Sequence, residues 1–411
     1  MKTYWKAWAR LLVRRLKRLL EFAGYTAFDR LALLGHPPRA RHGRVALVHV
    51  GLLGDAFMAL PYVQALARKL ARDGKSSLVV CEQAVREVFA EALPGAEVFA
   101  LPKKAFLHDA HARWRILQAL RAHGAERAYH FWSPRDGILQ DAIVRALGAP
   151  AVGFEAVYAD RPEIDVKLSR RLYSVLVPSR PGVHLGVQYR AFLQALDDGD
   201  FPVKPLEWPL QKEPPIEQPY WLLVPGASRE FRRWPEQRFA EVAAHVLRRR
   251  PDWRCVIVGS AAEQTLGKSI TERLGDRAIN LAGQTTVLEW VEWIAHARLL
   301  LGNDSAAGHI AAAMGTPAVV VAGGGHWGLC YPYDANEAPV RRLPLAVGLR
   351  MPCYGCDWRC VHTLRAARPF PCIAGVTAED VVRAVDGILE EVQPSKAASI
   401  PSDAPTRDTR A

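Results

Sequence analysis

The sequence has no apolar run approaching the ~18–20 residues that cross a bilayer, which excludes a helical membrane span. Cysteine is scarce, seven in 411 residues and unevenly spread. No short apolar stretch with a small-residue cleavage site follows Met1. A disulfide-stapled fold is therefore excluded, and a reducing, cytoplasmic setting is expected. Neither half of the chain carries, after its first strand, G-x-G-x-x-G with an acid about twenty residues on, which removes the nicotinamide dehydrogenases. What is present is a globular balance, 50% hydrophobic and 23% charged, at a length that predicts two domains.

A net excess of positive charge is missing from most of the chain. The net charge is +12, but residues 1–44 hold eleven Lys and Arg against Glu21 and Asp29, so nine of those charges sit there and the remainder is close to neutral. A basic surface for nucleic acid is not expected, because no aromatic stacking platform accompanies the charge. Within residues 1–43, Trp5, Trp8, Leu12, Leu16, Leu19 and Leu20 recur at helical spacing, with Lys6, Arg10, Arg14, Lys17 and Arg18 on much of the complement. That pattern fits an amphipathic arm lying on an anionic membrane surface, at on the order of 1 kcal/mol per basic residue. It equally fits a helix packed on its own domain with a solvated basic face.

From Arg44 the chain alternates strand, turn and helix. Predicted strands are Arg44–Val50, Leu78–Cys81, Glu97–Leu101, Arg127–Phe131 and Ala151–Phe154, then Trp221–Val224, Cys255–Val258, Leu299–Leu301 and Ala318–Val321. Such alternation implies parallel sheets covered on both faces. Prolines cluster between the two sets, so the expected organisation is an α/β protein of two Rossmann-like halves, 44–205 and 220–392, joined by a linker at 206–219. A ligand cleft is expected between the carboxyl ends of their strands. Residues 393–411 have the composition of a disordered tail.

Three strand ends stand out. The first strand runs through Gly51 and Gly54 into Asp55, a carboxylate that either caps the following helix or faces the cleft. In the second half, Pro225-Gly226-Ala227-Ser228 is followed by Arg229, Arg232 and Arg233 ahead of a helix. Small residues and guanidinium groups at a helix N-terminus make a diphosphate cradle, or an ordinary solvated turn. Later, Asn303-Asp304-Ser305 opens a helix rich in Ala and Gly, with His309 one turn in, either donating to an anion or packing.

Four of the seven cysteines, Cys353, Cys356, Cys360 and Cys372, give C-x2-C-x3-C-x11-C. The first pair has the hairpin spacing of a structural zinc site, while the second is too wide for a standard ribbon; a structural zinc and free thiols both remain open.

Taken together, the chain resembles glycosyltransferase family 9, the ADP-heptose:lipopolysaccharide heptosyltransferases. The resemblance lies in Gly54-Asp55 with Ala59-Leu60-Pro61, in Pro225-Gly226-Ala227-Ser228 with Arg232 and Trp234-Pro235, and in Val258-Gly259 with Glu263. It continues through Asn280-Leu281-Ala282-Gly283-Gln284-Thr285, and Asn303-Asp304-Ser305 with His309 and Gly315-Thr316-Pro317. It implies a GT-B architecture and an inverting, metal-independent transfer of a sugar from a nucleotide diphosphosugar, with ADP-heptose the expected donor. The expected acceptor is a lipid-linked saccharide of the lipopolysaccharide core. By that resemblance Asp55 is the general base beside Gly54, Ser228 and Arg232 meet the diphosphate, and Glu263 accepts from the ribose. Asp304 holds sugar hydroxyls, with Ser305 and His309 near the phosphates. The cysteine segment recurs in such proteins outside the transfer chemistry. The same fold with another donor, or a silent nucleotide-cleft scaffold, are the competing expectations. Peripheral attachment to the inner face of the cytoplasmic membrane through residues 1–44 is expected.

Overall fold

The computed structural model describes residues 2–39, 41–131, 137–155, 170–180, 182–196, 202–211, 213–334, 338–362 and 369–391. The expected tail at 393–411, and the side chains of residues 2–12, 14, 15 and 18, including the two tryptophans of the basic helix, lie outside the described residues.

Two six-stranded sheets form the frame. The first contains β1 (Arg44–His49), β2 (Ser76–Glu82), β3 (Glu97–Leu101), β4 (Arg127–His130), β5 (Ala151–Phe154) and β6 (Tyr173–Val177), in the order β3-β2-β1-β4-β5-β6. The second contains β7 (Tyr220–Val224), β8 (Arg254–Ile257), β9 (Ala278–Asn280), β10 (Leu300–Asn303), β11 (Ala318–Val321) and β12 (Leu345–Val347), in the order β12-β11-β10-β7-β8-β9. Every strand pair in both is parallel. Counted from its own first strand, each sheet has the dinucleotide-fold order with its reversal beside that strand, at β1/β4 and at β7/β10. Ligands of such sheets bind at that reversal, outside the carboxyl ends of the strands.

The central strands are continuous apolar runs because helices cover both faces. Residues Val45 to His49 of β1 and all of β7, β10 and β11 are buried. The covering helices follow from periodicity and end charges. In Glu236–Arg249, Phe239, Val242, Ala243, Val246 and Leu247 are buried at three- and four-residue intervals. Glu236 in its first turn and Arg248 and Arg249 in its last complement the helix dipole. Truncating one fully buried strand residue, such as Leu222, to alanine removes about 2–5 kcal/mol.

One apolar cluster crosses between the halves, joining Phe57, Tyr62 and Tyr189 to Val291, Ile310 and Tyr331. It places helix Leu53–Arg72 against helix Ala306–Met314. The approach is close at Gly54, where an added Cβ would lie 2.9 Å from His309 Cδ2 and 3.3 Å from Ala306 Cα. Between helix Leu185–Gln194 and β7 the described residues form no helix or strand.

The basic helix, Lys2–Ala32, divides in two. Its second half is docked on the first sheet's helices through Asp29, 1% exposed, which accepts from Arg113 Nε at 2.6 Å, Arg113 Nη2 at 2.9 Å and Arg145 Nη1 at 3.0 Å. Farther toward the N-terminus, Val13, Leu16 and Leu20 are 66%, 56% and 66% exposed. No helix among the described residues is long and apolar enough to cross a membrane.

Candidate active site

A cleft of about 450 Å³ opens between the halves, lined from the first by Leu52 to Asp55 and from the second by residues around the carboxyl ends of β7, β8, β10 and β11. All eight residues singled out in the sequence line it: Gly54, Asp55, Ser228, Arg232, Glu263, Asp304, Ser305 and His309.

Asp55 is the third residue of helix Leu53–Arg72, and its Oδ2 accepts the Leu52 N–H at 2.9 Å. The two sequence readings, cap and cleft carboxylate, are thus one geometry. Burial raises this carboxyl to about 6, with Asp304 adding to the rise and the Leu52 N–H and Arg232 opposing it. A carboxylate so tuned is ionised near neutrality and holds a proton far better than an ordinary aspartate.

Opposite lies a set of hydrogen-bond donors. Arg232 belongs to a short 3-10 turn (Glu230–Arg232); its Nη2 donates to the backbone oxygen of Asp304 at 3.0 Å and forms an ion pair with Asp304 Oδ2, also at 3.0 Å. Its Nε is buried with no hydrogen-bond partner in the structure. The same holds for Ser305 Oγ, at the N-cap of helix Ala306–Met314, which makes no capping hydrogen bond. Buried polar groups are normally paired, so these two orphans at a helix N-terminus are donors awaiting an acceptor. Ser228 lines the cleft from the neighbouring turn. Asn303, which is fully buried, shapes that turn: its Nδ2 donates to the Pro225 and Gly226 oxygens at 2.7 and 3.2 Å, and its Oδ1 accepts from Trp234 N at 2.9 Å.

Glu263 Oε2 accepts from Ser260 N at 2.7 Å and Ser260 Oγ at 3.1 Å. The carboxylate lies against two glycines that the sequence motifs contain. A Cβ on Gly226 would sit 1.9 Å from Glu263 Oε1, and one on Gly259 2.5 Å from Oε2. Thr285, Thr286 and Trp290 line the cleft together with it.

His309 lies in the cleft wall but is no cation. Burial is the main cause holding it down at about 3, helped by His184, Arg232 and His326. Its ring stacks on Tyr331 at 4.7 Å, and Nδ1 meets the Tyr333 hydroxyl at 2.7 Å. In the tautomer in which Tyr333 donates to Nδ1, the ring hydrogen is on Nε2, so a neutral donor remains. Of the alternatives left open by the sequence, the packing role is seen in these contacts.

Sequence reasoning missed Ser260, Thr286, Trp290, His326 and Cys330 among the lining residues. His326 had a usable signal, the run Gly323-Gly324-Gly325-His326 directly after β11. Trp290 had none, since it reads as one more apolar position of helix Val287–His296.

The four cysteines of the C-terminal segment are unpaired, Cys372 buried and the others half-buried. Among the described residues no group of three or more His, Cys, Asp or Glu side chains is arranged to hold a metal ion, so the zinc expectation finds no support.

Two parallel α/β halves meeting over a cleft in this way define a GT-B fold. An Escherichia coli heptosyltransferase, solved with ADP-2-deoxy-2-fluoro heptose, shares it with a TM-score of 0.60 over 85% of this chain and 99% of that one, at 16% identity. Within that fold, residues 190–343 match the family model described as "Glycosyltransferase family 9 (heptosyltransferase)". Lipopolysaccharide heptosyltransferase 1 of Pseudomonas aeruginosa is 27% identical over 340 residues, 76% of this chain and 86% of that one. Lipooligosaccharide heptosyltransferase 2 of Haemophilus influenzae is 33% identical over 114 residues, a stretch covering 26% of this chain and about a third (32%) of that relative.

Proposed function

We propose that this protein transfers a heptose from ADP-heptose to a hydroxyl of the lipopolysaccharide core, with inversion at the anomeric carbon. The observation that carries the reading is the pairing, across one cleft, of a carboxylate poised near pH 6 with two unpartnered donors at a helix N-terminus. In the reaction the acceptor oxygen bonds to the anomeric carbon as the bond from that carbon to the diphosphate breaks. Asp55 takes the proton of the acceptor hydroxyl while this happens. The negative charge that accumulates on the leaving nucleotide is met by Arg232, Ser228, Ser305 and the helix N-terminus. Asp304 and the neutral His309 hold sugar hydroxyls, and Glu263 accepts from the ribose, with Trp290 walling the base end of the cleft.

In this reading residues 44–205 form the acceptor half, 220–392 the donor half and 206–219 the linker. The work takes place on the cytoplasmic face of the inner membrane. The exposed Val13, Leu16 and Leu20 beside Lys17 support attachment of the first half of the basic helix to anionic lipid, while Asp29 anchors its second half to the protein.

The deciding experiment titrates the purified protein with ADP, UDP, GDP and CMP by calorimetry, then assays ADP-heptose with core saccharide. Selective ADP binding that is lost in Glu263→Ala supports the reading. Preference for another nucleotide keeps the fold and replaces the donor, and no binding to any of the four refutes transfer from a nucleotide sugar.

A further inference from the structure

The cysteine segment does not stand apart from the cleft. Its Trp358 lies under Arg232, with the guanidinium carbon 4.6 Å from the indole centroid. The backbone there adopts an unfavourable geometry to achieve this. Asp357 and Trp358 have φ of 49° and 58°, two consecutive left-handed residues of which neither is glycine. Such a conformation is rare for a bulky side chain and persists only where surrounding contacts hold it, which makes it a mark of function.

The contacts that hold it are specific. Asp357 N donates to Gly325 O at 3.1 Å and Gly355 N to Gly324 O at 2.7 Å. The indole rests directly on the glycine turn after β11: a Cβ on Gly325 would be 2.2 Å from Trp358 Cδ2, and one on Gly323 2.8 Å from its Cη2. Phe231, the residue before Arg232, stacks on Phe370 at 4.3 Å and borders the same indole at 5.9 Å. Arg232 itself needs this support. It sits on a three-residue 3-10 turn, and Asp304 grips only one edge of its guanidinium, leaving Nε unpartnered. A flat cation held at one edge still pivots; an aromatic face beneath it fixes its plane.

We propose that Trp358 is a positioning residue of the donor site, its indole fixing the Arg232 guanidinium in the plane from which it meets the donor diphosphate. The cysteine segment is thereby part of the donor-binding apparatus and not an appendage to it. This inference rests on the reading of Arg232 as a diphosphate ligand.

The test uses the full chain with ADP and adenosine as probes, measured by calorimetry, with circular dichroism and Tm as folding controls. Trp358→Ala raises the Kd for ADP about tenfold and leaves that for adenosine unchanged, while Trp358→Phe, which restores an aromatic face, stays within about threefold of wild type. In an Arg232→Ala background Trp358→Ala has no further effect on ADP, the outcome that a merely structural role would not produce. Wild-type ADP affinity in Trp358→Ala, equal weakening of ADP and adenosine, or full additivity with Arg232→Ala overturns the inference. If Trp358→Ala fails to fold, Trp358→Leu measured against Trp358→Phe decides it, equal ADP affinities of the two overturning it. Wild-type ADP affinity in Arg232→Ala itself refutes instead the reading on which it rests.

Discussion

Replacing Asp55 by asparagine should slow turnover severely and at the same time make the protein more stable, by an amount that depends on pH in a defined way. Burial holds this carboxyl at about 6, against 3.8 for an ordinary aspartate. The folded state therefore binds the proton more tightly than the unfolded chain. Relative to the unfolded state, the stability that this group contributes is fully present below pH 3.8 and is lost as pH rises through 6. Above pH 6 the ionised carboxylate stays buried at a penalty of about 3 kcal/mol. Asparagine is neutral at every pH, keeps an oxygen for the Leu52 N–H and differs little in volume. Asp55→Asn and wild type should thus melt together near pH 4 and diverge between pH 4 and 6. At pH 8 the variant should melt on the order of 5 °C higher. In parallel, kcat/KM of the wild type should fall on the acid side with an apparent pKa near 6 and be lower by about 10²–10⁴ in the variant at pH 8. The assay is paired differential scanning calorimetry and initial rates across pH 4 to 9. A melting difference that is independent of pH would refute the buried, raised carboxylate. An acid limb unchanged in a still-active Asp55→Asn would refute it as the base.

Gly226→Ala should mimic loss of Glu263, because the new Cβ would lie 1.9 Å from Glu263 Oε1 and expel the carboxylate from Ser260; ADP affinity measured by calorimetry should drop about tenfold with Tm little changed. Arg113→Ala leaves Asp29 buried and short of two hydrogen bonds, and should destabilise the protein by about 3–5 kcal/mol in thermal melts. Leu16→Glu with Leu20→Glu should abolish sedimentation with anionic liposomes at low salt while leaving nucleotide binding intact, and persistent sedimentation would place the lipid contact elsewhere.

The strands that the sequence did not reveal share one property. β6, β9 and β12 are edge strands, each paired on one side only. Their residues are partly exposed, β6 reading buried, exposed, exposed, half-buried, buried and β9 half-buried throughout. The apolar run that betrays an interior strand of a doubly covered sheet has no reason to exist there. β3, the fourth edge, was legible because Val98, Phe99 and Leu101 supply apolar residues that pack on the cores of its half.

The site was legible for a related reason. In a parallel α/β fold, ligand-facing residues fall at the carboxyl end of a strand or the start of the next helix, positions that glycine turns and helix starts mark in sequence. Asp55, Ser228, Glu263, Asp304 and Ser305 all sit there. What sequence could not supply was the state of those groups, since that depends on elements brought in from far along the chain. His309 is neutral because Tyr331 and Tyr333, more than twenty residues later, bury it. Asp55 is raised by burial, with Asp304 of the second half adding to the rise, and the halves approach closely beside it where Gly54 meets His309 and Ala306. Trp358 reaches Arg232 from a segment that follows no strand of the cleft. The positions of the chemistry are thus encoded locally, while the protonation and aim of each group are encoded in contacts between the halves and across the donor half. A substitution at Gly54 or Gly325, neither of which has a side chain, can therefore disturb the chemistry as much as one at Asp55 or Arg232.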